Sequence, residues 1–249
     1  MTSSHFGSGS VKLMQANMHS PLLVVVVLAT ALALTGCGGG DNEAAKSLCF
    51  DNSIYAEGTS YKLNFTEGET TPVESGTVVS TKASFNGHQG LVEFREQTQN
   101  TVTTTVTRYL KPLAPPNASA QPSTGGVVAL YGTKAAQGAT SFTTTTYTPP
   151  YEDRRVELSV GETRTFTGQG IREDWFRPAA PYTREERVKF VGVERITLPA
   201  GTFTACRYEI DGGTTEWWHR NLVIRRDIRN GLSRILQSGM LNGTPLKDL

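Results

Sequence analysis

Apolar and polar residues alternate almost one for one through most of the chain beyond residue 60. "YKLNF" (Tyr61–Phe65) does so, and "TVTTTVTRYL" (Thr101–Leu110) sets Val102, Thr104, Val106, Arg108 and Leu110 against Thr103, Thr105, Thr107 and Tyr109. "VKFVGVERITL" continues the pattern through Val188, Phe190, Ile196 and Leu198, and "RYEI", "TEWWH", "NLVIRRDI" and "SRILQSGML" close the chain in short runs of the same kind. A period of two is the signature of a half-buried strand, because successive side chains point to opposite faces. Threonine recurs because its branched side chain suits a pleated surface and its hydroxyl tolerates water. Turn signals ("NGHQG", "DGG", "RNG", "LNG") separate the runs at intervals of roughly ten residues. The expected fold is therefore all-β: an antiparallel meander forming a closed or half-open barrel. No amphipathic stretch long enough for a stable helix competes; "REERVKF" (Arg184–Phe190) leads straight into a strand pattern, and its Glu185-Glu186 pair is expected as a solvated charged turn.

Two segments interrupt the alternation. "KPLAPPNASAQPSTGG" (111–126) is rich in Pro, Ala and Ser and is expected as a long surface loop. "TPPYEDRR" (Thr148–Arg155) is expected as a turn with an extended Pro-Pro arm.

The N-terminus is of another kind. Leu22–Leu34, "LLVVVVLATALAL", is apolar apart from one Thr. It is too short to span a bilayer, which takes about 20 residues, but it suits the apolar core of an export signal. "LTGC" (Leu34–Cys37) follows directly and resembles the lipobox of bacterial lipoproteins. That resemblance implies cleavage before Cys37, a diacylglycerol on its sulfur and acylation of the new amino terminus. Met1, Met14 and Met18 are alternative starts, and Lys12 is the leader's one Lys or Arg, which favours an upstream start. The division expected is 1–36 signal peptide, 37–47 acylated cysteine and flexible tether, and 48–249 a single β-rich periplasmic domain. Two or more acyl chains anchor durably where one is marginal. Gly38, rather than Asp, follows Cys37; in lipoproteins of this kind that implies the outer membrane, with the domain facing the periplasm.

Charge excludes other partners. The leader holds one cation and no anion, so removing it takes the net charge from +1 to zero. A neutral chain lacks the basic footprint that nucleic acid requires and any polybasic attraction to membranes. Membrane attachment falls to the acyl chains.

Cys49 and Cys206 remain after Cys37 is acylated. An even pair in an oxidising compartment is expected as a disulfide. The alternative, a reactive thiol, wants a neighbouring His or a CxxC partner, and neither His88 nor His219 forms a motif with Cys206.

"VGVERITLPAGTFTACRYEIDGGTTEWWHRNLVIRR" (Val191–Arg226) resembles a pattern in uncharacterised bacterial periplasmic proteins and lipoproteins. There a strand ending in PAGTF feeds a second strand, and a Trp-bearing strand follows. Pro199–Phe203 and Trp217 or Trp218 carry the match, and His219-Arg220-Asn221 departs from it where that family has Pro-Gly-type turn residues. The resemblance implies a barrel-like envelope domain and brings no catalytic residues. Physically, Pro199 presets φ for a tight turn, Gly201 permits a positive φ and Phe203 enters the core.

No nucleophile elbow, zinc signature, phosphate loop or dinucleotide loop occurs. No catalytic residue, metal or cofactor is expected, and the chain reads as non-enzymatic. Trp217, Trp218, His219 and Arg220 are the candidate binding residues. Adjacent tryptophans on a strand face opposite ways, so one belongs to the core and the other to the outer face or a rim, where it would suit a sugar, lipid headgroup or protein; packing of both, with His219 a solvated neighbour, is the favoured reading. Two functional readings stand: an outer-membrane-anchored lipoprotein with a structural or protein-interaction role, and a carrier of an apolar ligand such as a lipid inside the barrel. Large inward residues would favour the first and small ones the second.

Overall fold

The computed structural model describes residues 48–68, 71–99, 103–113, 126–138 and 141–247. The signal, the lipobox, the tether and most of the loop 111–126 lie outside the described residues.

Among the described residues, thirteen strands follow one another in chain order. The first six are β1 (Ser60–Glu67), β2 (Thr71–Phe85), β3 (His88–Gln99), β4 (Thr103–Pro112), β5 (Val128–Gln137) and β6 (Ser141–Asp153). Then come β7 (Thr163–Asp174), β8 (Arg177–Leu198), β9 (Gly201–Ile210), β10 (Thr214–His219), β11 (Leu222–Asp227), β12 (Ser233–Leu241) and the short β13 (Thr244–Pro245). Each pairs antiparallel with the next, and β1 also pairs with β12, so twelve strands close on themselves. Of the two expected forms, closed or half open, the molecule adopts the closed one. Two short 3-10 turns, η1 (Asn52–Tyr55) and η2 (Arg155–Glu157), complete the described elements, and no α-helix occurs among the described residues.

The expected hairpin at Pro199 is present: Leu198 pairs with Gly201 across a two-residue turn, and Phe203 is fully buried. The β10–β11 turn is made by Arg220 and Asn221, both at positive φ (53° and 61°), the conformation that a two-residue hairpin of matching twist requires. Asn takes that conformation readily, and Arg less so.

Two expectations are corrected. Arg184–Phe190 is the interior of β8, so Glu185 and Glu186 belong to a strand and not to a solvated turn. Thr148–Arg155 is not a simple turn either: β6 runs to Asp153. Its partner register jumps from Thr146 (opposite Gly132) to Tyr151 (opposite Leu130), so the Pro-Pro pair sits in an outward kink. Beyond Tyr147 no further β6–β7 partners follow, because a proline removes a ladder donor.

Below, the lower end of the barrel is the one carrying the β10–β11 turn, and the upper end the one carrying the β7–β8 turn. Twelve strands enclose more space than wall side chains alone fill. At the lower end the N-terminal segment supplies the filling: Cys49, Phe50 and Ile54 are buried among Leu158, Phe190, Phe203 and Tyr208. Cys49 is disulfide-bonded to Cys206 on β9. The turn opposite grips the same segment: the Arg220 and Asn221 amides donate to the Leu48 and Cys49 carbonyls (3.2 and 2.8 Å). The Arg220 guanidinium donates to Asp51 at 2.8 and 3.0 Å.

A smaller apolar cluster lies on the outer face of β2–β5. Phe85 stacks on Tyr109 with ring centroids 4.4 Å apart. Gly132 is needed there, since a Cβ at that position would come within 2.2 Å of the Phe85 ring.

Candidate functional site

The inward face of six strands changes character in the same direction. Toward the lower end it presents Phe94, Leu110, Val188 with Phe190, Trp218, Leu222 and Leu236. Two residues further up (four on β11) it presents Glu96, Arg108, Glu186 with Arg184, Glu216, Arg226 and Arg234. A charged layer therefore sits above an apolar one. Between them is a cavity of about 480 Å³, lined among other residues by five arginines and four carboxylates. Arg226 and Arg108 point inward, yet 40% and 36% of their side-chain surface meets water, so water enters the barrel.

Arg155 is the hub. The β6–β7 connection carries it into the barrel on η2, where it is 4% exposed. Its guanidinium lies 4.5 Å from the centre of the Trp218 ring, with Nε donating to Asp153 at 2.9 Å. Glu186 and Glu216 stand 3.6 Å from its other two nitrogens. The Tyr208 hydroxyl donates to the Arg155 carbonyl at 3.3 Å, which fixes the loop against β9. Burial works against the charge, but Asp153, Glu186 and Glu216 outweigh it and push the Arg155 pKa up. Glu216 in turn accepts from Trp218 Nε1 (2.9 Å) and from Arg226 (2.7 Å). Arg184 pairs with Glu186 at 2.9 Å and lies over the Tyr151 ring.

A second group stands across the barrel. Glu96 accepts from Arg108 at 2.9 Å and from the Ser75 hydroxyl at 2.7 Å. Burial opposes its ionisation, but the Arg108 charge and these hydrogen bonds prevail and hold its carboxyl below the ordinary range. Tyr55 and Tyr61 pack their rings on Phe94, and burial pushes both phenols well up, so they stay neutral.

The four candidate residues of β10 and its turn do not form one site. Trp218 faces the cavity. Trp217 faces out, but it is only 6% exposed, because Arg207 and Arg225 cover its ring at 5.6 and 4.6 Å and its Nε1 donates to Glu194. His219 is buried, its Nδ1 donating to the Thr204 carbonyl at 2.9 Å. Arg220 is the N-terminal clamp described above. Cys37 lies outside the described residues. Among the described residues no group of three or more His, Cys, Asp or Glu is placed to hold a metal ion.

The charged layer is what sequence reading missed. Its signal was present: Arg108 stands on the face shared by Val106 and Leu110, and Arg226 two residues beyond Ile224 in "NLVIRRDI". Arg155 had no such signal, since "TPPYEDRR" reads as a turn with an extended Pro-Pro arm.

Fold and site together define a closed twelve-stranded antiparallel barrel with a water-accessible, charge-lined interior. No family model matches the chain, so none supports the resemblance read over Val191–Arg226, and no curated protein matches it. Among solved structures, a candidate lipoprotein from Parabacteroides distasonis ATCC 8503 aligns over 77% of this chain and 99% of its own, with a TM-score of 0.39 and 14% identity. Agreement that loose carries no argument about this chain.

Proposed function

We propose that this chain is a lipid-anchored protein of the bacterial envelope, not an enzyme, whose barrel binds a small ligand in its interior. The cavity carries the reading: at about 480 Å³ it falls in the size range of small-molecule sites, which combine apolar walls with a few convergent polar groups. Of the two sequence-level readings, a carrier fits better than a filled module, but with a different cargo. A purely apolar ligand would strip water from five arginines and four carboxylates and return nothing to them, so a polar ligand is favoured over a lipid.

Anchoring is read from "LTGC" and its apolar leader, and Gly38 favours the outer membrane over the inner one. The outer wall supports attachment by acyl chains rather than by the strands themselves. It carries ion pairs at Lys62–Glu74, Lys189–Glu209 and Arg225–Asp227, where a membrane-spanning barrel presents an apolar band. Leu48, the first described residue, lies at the lower end, the one closed by the Cys49–Cys206 bond.

Native mass spectrometry of the full chain, purified from an exporting host, tests the binding reading. A mass excess that disappears on denaturation is the expected result, and it identifies the cargo class. A clean apo mass would turn preference to a protein-interaction module. The observation favouring that second reading is the exposed apolar group near the β7–β8 turn: Phe142, Ile171, Trp175 and Phe176, each about half exposed or more (48–57%).

A further inference from the structure

We infer that the cavity binds the carboxylate or phosphate group of a small organic anion between Arg226 and Arg234. This rests on the reading of the barrel as a ligand binder and names the ligand's chemistry.

Arg226 on β11 and Arg234 on β12 are direct register partners and both line the cavity. Like charges placed opposite one another across a ladder repel, so the pairing wants a counter-charge. Arg226 has one, since Glu216 holds it at 2.6 Å. But Glu216 is shared, with Trp218 donating to it and Arg155 standing 3.6 Å away.

Arg234 is placed differently. Its guanidinium lies 4.2 Å from the centre of the Phe65 ring, and its Nε is buried with no hydrogen-bond partner among the described residues. Glu67, its register partner on β1, and Glu96 on β3 act on it only at a distance. Burial and the neighbouring Arg226 both press its pKa down. A guanidinium wants several acceptors in its plane, and a buried donor left unmet is costly. The same shortage appears at Arg155, where one terminal nitrogen also lacks a hydrogen-bond acceptor.

Among the described residues the lining has five arginines against four carboxylates. The excess is one positive charge, in a space open to water and large enough for a small molecule. A carboxylate or phosphate matches the planar fork of an arginine. Phe65, Phe94, Tyr55 and Tyr61 beside it offer an aromatic wall to the ligand's organic part, so an aromatic acid is the natural probe.

Isothermal titration of the full chain in a non-ionic detergent, with benzoate, phenyl phosphate and neutral benzamide, tests the inference. Saturable binding of benzoate or phenyl phosphate is expected, at least tenfold tighter than benzamide, and the tighter of the two anions tells carboxylate from phosphate. Arg234→Met keeps the stem on Phe65, and it should weaken anion binding tenfold or more while leaving the melting temperature near that of the parent. Benzamide binding as tightly as the anions, or an Arg234→Met protein of unchanged affinity, would overturn the anion site. The benzoate–benzamide contrast needs no variant, so it decides the matter even if Arg234→Met misfolds. A neutral or cationic co-purified ligand sinks this inference and leaves the binding reading standing. No co-purified ligand, together with no heat from any probe, sinks both.

Discussion

The lower and upper halves of this barrel are built from the same strands and do different work. Below, Phe190, Phe203, Tyr208 and Leu236 pack around the inserted Cys49–Ile54 segment, nearly or fully removed from water. Each large side chain buried there stabilises by about 1.5–3 kcal/mol. Above, the inward residues are long and charged, and they pair directly around a space that water enters. Such networks add little net stability, because desolvation offsets their attraction. On the proposed reading, they set the sign of what enters. The fold places its apolar packing at one end and its charge at the other.

Experiments that cut the lower half should unfold the protein, while those that cut the upper half should mostly change what it binds. The largest effect belongs to the disulfide. It spans 157 residues, and in the chain-entropy model its loss costs about 5 kcal/mol at most; urea unfolding with and without reductant measures it. Phe190→Ala, at a site 1% exposed, should cost about 3–5 kcal/mol in the same assay.

Arg155→Met crosses the boundary between the halves. It leaves Asp153, Glu186 and Glu216 without their shared partner and should cost about 3 kcal/mol, the penalty for orphaning buried charge. A loss below about 1 kcal/mol would mean that water screens the hub as it screens a surface pair.

The Glu96 pair should appear as an acid effect of smaller size. Its folded pKa lies below the unfolded value, so its contribution is fully present above the ordinary carboxylate range and is lost as pH falls through the folded pKa. Glu96→Gln should therefore flatten the melting temperature against pH on the acid side and leave it unchanged in slope near neutrality. Smallest of all, Arg234→Met should alter stability by no more than about 0.5 kcal/mol, because removing a desolvated, poorly partnered charge costs little. A large loss there would make Arg234 a structural residue.

Much of the lower half was legible in advance. Alternation in "YKLNF" and "VKFVGVERITL" identified the strands, the Pro199–Gly201 turn and the burial of Phe203 followed from local chemistry, and Cys49 and Cys206 were left as the one pair able to join. The upper half was not. A period of two says which residues share a face, not which face is inside, and a half-charged inner face defeats the assumption that the apolar side decides. So Glu185 and Glu186 passed for a solvated turn, and of the candidate residues Trp217, Trp218, His219 and Arg220 only Trp218 lines the cavity.

Local sequence by itself determined that this chain forms antiparallel strands, because strand periodicity and turn chemistry act within a few residues. Only the tertiary structure decided that β1 meets β12 across the length of the domain. Closure then turned one face of every strand inward and left unfilled space at its charged end. Those outcomes depend on how many strands pair and how they curve, and no stretch of neighbouring residues encodes that alone.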